Sequence, residues 1–123
     1  MTKVLIVDDE PIVREAIHDW LVDAGYDVAT AETGEEALEI LAEQDFGIIV
    51  LDVRLPGKTG TRVLQELKEV KPNVKAIVIT AYASPEMRAE AMRQGAVRYM
   101  VKPISPDELE KVIRETVSSA AGQ

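Results

Sequence analysis

The chain has 123 residues, 46% of them hydrophobic and 29% charged, which is the size and balance of one soluble globular domain. Its 22 acidic residues outnumber 14 basic ones, and the resulting net charge of −8 repels nucleic-acid phosphates, so we expect no direct binding of DNA or RNA by this domain. The absence of cysteine excludes disulfides and thiolate metal sites, and the apolar run at the start is too short for a signal sequence or a membrane span, so we expect a cytoplasmic protein without membrane contact.

Five short apolar runs, rich in β-branched residues, are predicted to be strands. They lie at residues 3–7, 26–30, 47–51, 75–80 and 97–101. The first, third and fourth runs are apolar almost without a break, which is typical of strands that other elements cover on both faces.

Helical patterns fill the gaps between these runs, and each has its own start or stop signal. Residues 11–24 precede Gly25, a residue type that often ends helices. Thr33 and Glu36 have the spacing of a capping box before a helix that reaches about Gln44. The serine–proline pairs at 84–85 and 105–106 open the last two helices, while Pro72 and Gly95 end the third and the fourth. The expected buried stripes of the first, third and fifth helices are Val13, Ile17, Trp20, Leu21 and Ala24; Val63, Leu64, Leu67 and Val70; and Leu109, Val112, Ile113, Thr116 and Val117.

The alternation of strands and helices predicts a mostly parallel sheet with helices on both faces. Five units are too few for an eight-stranded barrel, so we expect an open, doubly wound (βα)5 sheet. Such sheets bind their ligands at the carboxyl ends of the strands, where the strand order reverses. We expect one domain over residues 1–118 and a tail, or the start of a linker, over 119–123.

Two features of residues 48–62 invite a phosphate-binding interpretation. One is the sequence Gly57-Lys58-Thr59, which resembles the end of a P-loop. A P-loop ending at Thr59 requires glycine at position 52, however, and that position is Asp52. The second feature, the lone carboxylate of Asp52 at the end of an apolar run, is therefore the better candidate.

Polar residues lie at the carboxyl ends of the strands, where a site is expected. They are Asp8, Asp9 and Glu10 at the end of the first strand, Asp52 at the end of the third, Thr80 at the end of the fourth, and Lys102 with Pro103 at the end of the fifth. If the strand order reverses between the first and third strands, three carboxylates share one crevice, and their repulsion calls for a cation. Mg²⁺ binds a few carboxylates together with waters and a phosphate, so it is the cation expected at this site. Taken singly, Asp8, Asp9 or Glu10 is better explained as a helix cap.

Four segments strongly resemble the receiver domain of two-component response regulators. They are "VLIVDDEP", "IIVLDVRLPGKTG", "AIVITAY" and "YMVKPI", in the family's order and spacing, and the resemblance covers residues 3 to about 118. It implies a flavodoxin-like sheet of order 2-1-3-4-5. It also implies a phosphoryl-accepting signalling switch, not an enzyme in the usual sense, which takes its phosphoryl group from a phosphohistidine on a sensor histidine kinase or a histidine phosphotransfer protein.

The resemblance assigns a role to each site residue in turn. Asp52 is the phosphoacceptor, and the Mg²⁺ ligands are Asp8 (directly or through water), Asp9, Asp52 and the backbone carbonyl of Arg54. Thr80 binds the phosphoryl group and Lys102 pairs with it. Two further implications are a cis peptide bond between Lys102 and Pro103 and an inward turn of the Tyr99 ring on activation.

Arg54 and Tyr82 occupy positions that vary in this family and would flank the phosphoryl group. The resemblance implies that such positions set how fast water attacks the acyl phosphate, and bulky side chains there would slow it. The alternative that both side chains point to solvent stays open.

The expected output is a change on the face made by the fourth helix, the fifth strand and the last helix. The fourth helix has a thin apolar face, Met87, Ala91 and Met92, so we expect it to be the softer element. This face would contact an output domain, a partner or a second copy in a homodimer. Residues 80–96 also resemble receivers that head transcriptional activators. Ile12 and Ala16, beside the site, either contact a partner or pack in the ordinary way.

Two other functions compete with the switch. A Mg²⁺-dependent phosphohydrolase of the haloacid dehalogenase type requires D-x-D at the nucleophile, and Asp52-Val53-Arg54 lacks the second carboxylate. An unphosphorylated binding module would be expected to lack some of the five site residues Asp8, Asp9, Asp52, Thr80 and Lys102, and all five are present.

Overall fold

Strands and helices alternate along the chain, as the apolar runs predict. The structure is a computed structural model that describes residues 2–53, 60–81 and 84–121, with side chains described up to residue 117. The strands are β1 (Lys3–Val7), β2 (Asp27–Ala31), β3 (Ile48–Asp52), β4 (Lys75–Thr80) and β5 (Ala96–Val101). The helices are α1 (Pro11–Asp23), α2 (Gly34–Glu43), α3 (Gly60–Val70), α4 (Pro85–Arg93) and α5 (Pro106–Ala121).

The five strands form one parallel sheet in the order β2-β1-β3-β4-β5, which confirms the predicted fold class and strand order. β2 and β3 each begin and end one residue later than their apolar runs, and Asp52 is the last residue of β3, as expected. α5 continues to Ala121, three residues past the expected domain end at 118. Within the described ranges, every helix is too short or too polar to cross a lipid bilayer.

The helix ends follow the local chemistry of the sequence. The Thr33 hydroxyl accepts a hydrogen bond from the Glu36 amide at 3.1 Å, and Ser84 and Ser105 cap α4 and α5 in the same manner. Gly25 has a positive φ of 96° after α1, where the Tyr26 amide donates back to the Leu21 carbonyl at 3.0 Å. This Schellman arrangement satisfies a carbonyl at the helix end, and only glycine adopts that backbone without strain.

The sheet separates two hydrophobic cores. One face carries α1 and α5, whose core residues include Ile17, Leu21, Leu109 and Ile113. The other face carries α2, α3 and α4, whose core residues include Leu41, Val63, Leu64 and Ala91. Because successive strand residues point to opposite faces, β1, β3 and β4 supply apolar side chains to both cores, which explains their unbroken apolar runs.

Two of the residues expected in the buried stripes are exposed. Ala24 lies one residue beyond the end of α1, and Val70, the last residue of α3, is 63% exposed. An apolar period identifies the face of a helix that packs, but it does not show how far the neighbouring elements extend along that face.

Candidate functional site

The carboxyl edge of the sheet brings together residues that are far apart in the sequence. Asp8 follows β1, Asp52 ends β3, Thr80 ends β4, and Lys102 follows β5. β1 lies between β2 and β3 in the sheet, so the strand order reverses at β1 and a crevice is expected between the turns that leave β1 and β3.

Lys102 lies at the centre of this cluster. Its Nζ is 2.8 Å from Asp52 Oδ2, 2.9 Å from Asp8 Oδ2 and 2.9 Å from Glu10 Oε1, and its side chain is 11% exposed. Burial alone lowers the pKa of Lys102, but the hydrogen bonds to Asp52 and Glu10 and the close Asp8 carboxylate outweigh it, so the pKa is raised and the ammonium stays charged. One ammonium against three carboxylates leaves the cluster with excess negative charge.

Asp8 is fully buried and keeps an oxygen available. Its Oδ1 accepts a hydrogen bond from the Glu10 amide at 2.9 Å. Its Oδ2 faces Lys102, but among the described residues no donor is aligned on it with hydrogen-bond geometry. Burial raises the pKa of Asp8, and the charge of Asp52 raises it further against the opposing effects of the Glu10 amide and Lys102.

The cluster fits a small cation with oxygen ligands. Asp8, Glu10 and Asp52 each offer a carboxylate oxygen, and these oxygens lie within 4.8 Å of one another. A divalent cation would coordinate the available Asp8 oxygen and neutralise the excess negative charge of the cluster.

Glu10, and not Asp9, supplies the third carboxylate of the described cluster. Glu10 is the residue before α1, with an extended backbone at φ −89° and ψ 110°, while Asp9 is exposed and is not part of the group. The sequence places Glu10 at this edge of the sheet, but it was not predicted to be a ligand. The one available signal was its position directly between the two aspartates and Pro11, where the chain turns into the helix.

Thr80 and Tyr99 lie on the side of the site that faces α4. Thr80 is fully buried, and its carbonyl accepts a hydrogen bond from the Lys102 amide at 2.7 Å, which ties the end of β4 to the turn after β5. Tyr99 is half-buried against the α2–α3–α4 core. It also lines a surface groove of about 710 Å³ with Ser84, Pro85 and residues of α4. The peptide bond between Lys102 and Pro103 is cis.

Five residues considered in the sequence lie outside the described part of the chain. They are Arg54, Gly57, Lys58, Thr59 and Tyr82. The expected carbonyl ligand and the two positions that would shield the phosphoryl group therefore stay predictions.

The family model for the response regulator receiver domain matches residues 4–114. The chain belongs to the response regulator receiver family. A receiver domain is a signalling switch of two-component systems that works as a phosphoacceptor, and it is not an enzyme in the usual sense.

Relatives and solved structures agree with this assignment. The response regulator protein FleR of Pseudomonas aeruginosa is 38% identical over 101 residues, which are 82% of this chain and 21% of FleR. The structure of a CheY-like receiver domain protein from Methanospirillum hungatei superimposes with a TM-score of 0.96 at 30% identity, over 99% of this chain and 98% of that one. The receiver of TrrA from Thermotoga maritima, solved in complex with Mg²⁺ and beryllofluoride, gives a TM-score of 0.85 at 34% identity, over 94% of this chain and 99% of that one. The chain spans between 21% and 48% of the length of the curated relatives that it matches.

Proposed function

We propose that Asp52 accepts a phosphoryl group from a phosphohistidine of a sensor histidine kinase or a histidine phosphotransfer protein. The observation that carries this proposal is the contact between Lys102 Nζ and Asp52 Oδ2 at 2.8 Å, within a cluster that holds an excess of carboxylates. A paired cation next to an acceptor carboxylate is what in-line transfer of an anionic group needs most, because positioning and charge neutralisation dominate this chemistry.

The reaction balances without any further reagent. An Asp52 oxygen forms a bond to phosphorus while the phosphorus–nitrogen bond of the phosphohistidine breaks, and the imidazole leaves with that electron pair. The product is an acyl phosphate on Asp52, and later attack of water on phosphorus returns the carboxylate and inorganic phosphate.

The proposed metal is Mg²⁺, held by Asp8, Asp9, Asp52 and the backbone carbonyl of Arg54, with Glu10 close enough to contribute. When bound, the ion supplies positive charge to the oxygens of the transferred group. Lys102 then has a phosphoryl oxygen as a new partner, and the Thr80 hydroxyl donates to the same group. Arg54 and Tyr82 are proposed to slow hydrolysis by hindering the approach of water.

The proposed output is a rearrangement of the face made by α4, β5 and α5. Movement of Thr80 toward the phosphoryl group would free space into which the Tyr99 ring turns. The face would then contact an output domain, a partner protein or a second copy of the chain. The molar mass of the phosphorylated protein in solution shows whether it forms a homodimer. The domain is proposed to work in the cytoplasm and not to bind nucleic acid directly.

The test is phosphorylation by a small acyl phosphate, followed by intact mass with and without a chelator. We expect the mass of one phosphoryl group to be added to the wild-type protein only when Mg²⁺ is present, and no addition to Asp52→Asn. Asp45→Asn, which changes an exposed aspartate outside the site, should be phosphorylated like the wild type. A full mass increase in Asp52→Asn, or one that a chelator leaves unchanged, would contradict the assignment.

A further inference from the structure

Arg14 reaches from α1 back toward the end of β1. It is in the first turn of α1, and its side chain is 12% exposed. Its Nη1 donates a hydrogen bond to the backbone carbonyl of Asp8 at 2.8 Å, and its Nη2 contacts Glu32 Oε1 at 3.2 Å, just after β2. A guanidinium with so little water around it needs such acceptors, so its position is well defined.

These contacts complete the bonding of Asp8 at its backbone. The Asp8 amide donates to the Ala31 carbonyl at 3.2 Å, and the Asp8 carbonyl accepts from Arg14. At the side chain, Oδ1 accepts from the Glu10 amide. Oδ2 is therefore the Asp8 oxygen that faces the site and can still coordinate a cation. Arg14 is one of the groups that fix its direction.

The same contacts hold the turn between β1 and α1. Glu10 is the N-cap residue of α1, but its side chain makes no capping hydrogen bond. The Arg14 amide donates the first helical hydrogen bond to the Glu10 carbonyl at 2.9 Å. The Arg14 side chain bonds the Asp8 carbonyl in this turn and joins it to Glu32, the residue after β2. Without that bridge, the longer-range contacts of this turn described here would be the bond from the Asp8 amide to Ala31 and the ion pairs of Asp8 and Glu10 with Lys102.

We propose that Arg14 is a positioning residue for the cation site: it fixes the turn between β1 and α1 so that the acidic residues of the turn present their oxygens to a divalent cation. This inference rests on the proposed function, since it assumes that the cluster binds Mg²⁺. The role needs arginine, because a planar fork reaches two acceptors in different segments at once, whereas the single ammonium of lysine does not. The described contacts of the Arg14 guanidinium are to the Asp8 carbonyl and to Glu32, and not to the carboxylates of the cluster, so it would act through the residues of the turn.

The test is the direct titration of Mg²⁺, followed by the backbone amide signals of Asp8, Asp9 and Glu10 in isotope-labelled protein. We expect Arg14→Met to raise the Kd for Mg²⁺ about ten-fold, the lower end of the effect of removing an outer partner of a metal ligand. Arg14→Lys should lie between Arg14→Met and the wild type. Arg114→Met, which removes an exposed arginine on α5, should leave the Kd unchanged.

A second measurement follows the turn in the absence of metal. The Glu10 amide, which donates to Asp8 Oδ1, should exchange with solvent faster in Arg14→Met than in Arg114→Met. An unchanged Kd in Arg14→Met, or an unchanged Glu10 exchange rate, would overturn the role of Arg14 while leaving the metal site intact. A wild-type protein that binds no Mg²⁺ would overturn the metal site itself, and with it the role of Arg14.

Discussion

Asp8 is a carboxylate that folding removes from water and places beside two other carboxylates. Burial raises its pKa above the ordinary value of 3.8, so the folded state prefers the protonated form more than the unfolded state does. The favourable contribution of that proton is complete below the unfolded pKa and is lost as the pH rises through the folded pKa. At neutral pH and without a metal, ionised Asp8 therefore lowers the free energy of unfolding.

The first prediction follows from this conflict. Asp8→Asn should raise the free energy of unfolding by about 1 kcal/mol at pH 7 in the presence of a chelator, since the amide keeps an acceptor without the charge. Urea unfolding measures it, and the gain should shrink as the pH approaches 4. The control is Asp19→Asn, at an exposed position in the middle of α1. A variant less stable than the wild type at pH 7 would show that the lost contacts to Lys102 and the Glu10 amide matter more than the charge.

For single residues, the sequence predicts which of them meet at the site, but it does not predict which side chains of the turn after β1 point into it. Asp52, Thr80 and Lys102 could be brought together because each ends or follows a strand, and strand ends in a parallel sheet share an edge. The choice between Asp9 and Glu10 lies in the turn after β1. In that turn the hydrogen bonds between strands no longer make side chains alternate between the two faces. The backbone angles of single residues therefore decide which carboxylate contacts Lys102.

α3 begins against the backbone of the proposed acceptor. The Gly60 amide donates to the Val53 carbonyl at 2.9 Å. A Cβ built on Gly60 would lie 2.4 Å from the Val53 Cα and 2.6 Å from the Asp52 carbonyl oxygen. These are backbone atoms that cannot rotate away, so only glycine allows the helix to start this close to β3.

The second prediction concerns this contact. Gly60→Ala should lower the free energy of unfolding by about 2 kcal/mol, because the methyl group displaces either α3 or the end of β3. The matched control is Gly47→Ala, whose methyl group would lie 3.3 Å from the Thr2 side chain and 3.9 Å, an ordinary contact distance, from the Lys3 carbonyl oxygen. Chemical denaturation compares the two variants, and equal losses of stability would contradict the steric explanation. The phosphorylation rate of Gly60→Ala should fall as well, since Asp52 moves with its backbone.

α4 buries little of its surface, which is consistent with the expectation that it is the softer helix. Among its residues only Ala91 is buried, Met87 is half-buried, and Met92, which the sequence placed on the apolar face, is 41% exposed. α5 on the opposite face buries Leu109, Val112 and Ile113. The helical period predicted the apolar faces of both, but the exposure of Met92 depends on how α4 sits over β5, which no local pattern encodes.

At the scale of the whole molecule, the site and the proposed output face are joined through β4 and β5. Thr80 is bonded to Lys102 through their backbones, and Tyr99 pairs in register with Val78 across the two strands. A displacement of Thr80 would thus reach β5 and α4, and it should leave α2, which follows β2 at the opposite edge of the sheet, unchanged.

The third prediction tests that confinement. A beryllofluoride adduct, which mimics the phosphoryl group, should change hydrogen exchange in residues 84–101 and leave α2 unchanged. The reason is that the new anion attracts the Thr80 hydroxyl, and the loosely packed α4 responds. Thr80→Val, which keeps the shape but loses the hydroxyl, should bind the adduct with a much smaller change. An identical response in this variant, or no change in residues 84–101 of the wild type, would refute the proposed switch.

The fold as a whole was predictable because several independent signals agreed. Apolar runs gave the strands, capping residues gave the helix ends, and the alternation gave a parallel sheet, all of which depend on neighbours in the sequence. The strand order itself came from the resemblance to receiver domains, since periodicity does not state which strand lies beside which.

β3 has one further consequence, which concerns how the chain chooses a single alignment. Its residues Ile48 to Leu51 are fully or almost fully buried on both faces, so a slip by one or two positions would exchange one apolar side chain for another. The strand interior therefore carries almost no information about its own register. That information lies at the two ends: Gly47 is bonded to Lys3 and Lys75 at one end, and Val53 is bonded to Gly60 at the other. A deletion inside β3 would then leave a protein that is still able to form a sheet but whose acceptor carboxylate has moved out of reach of Lys102.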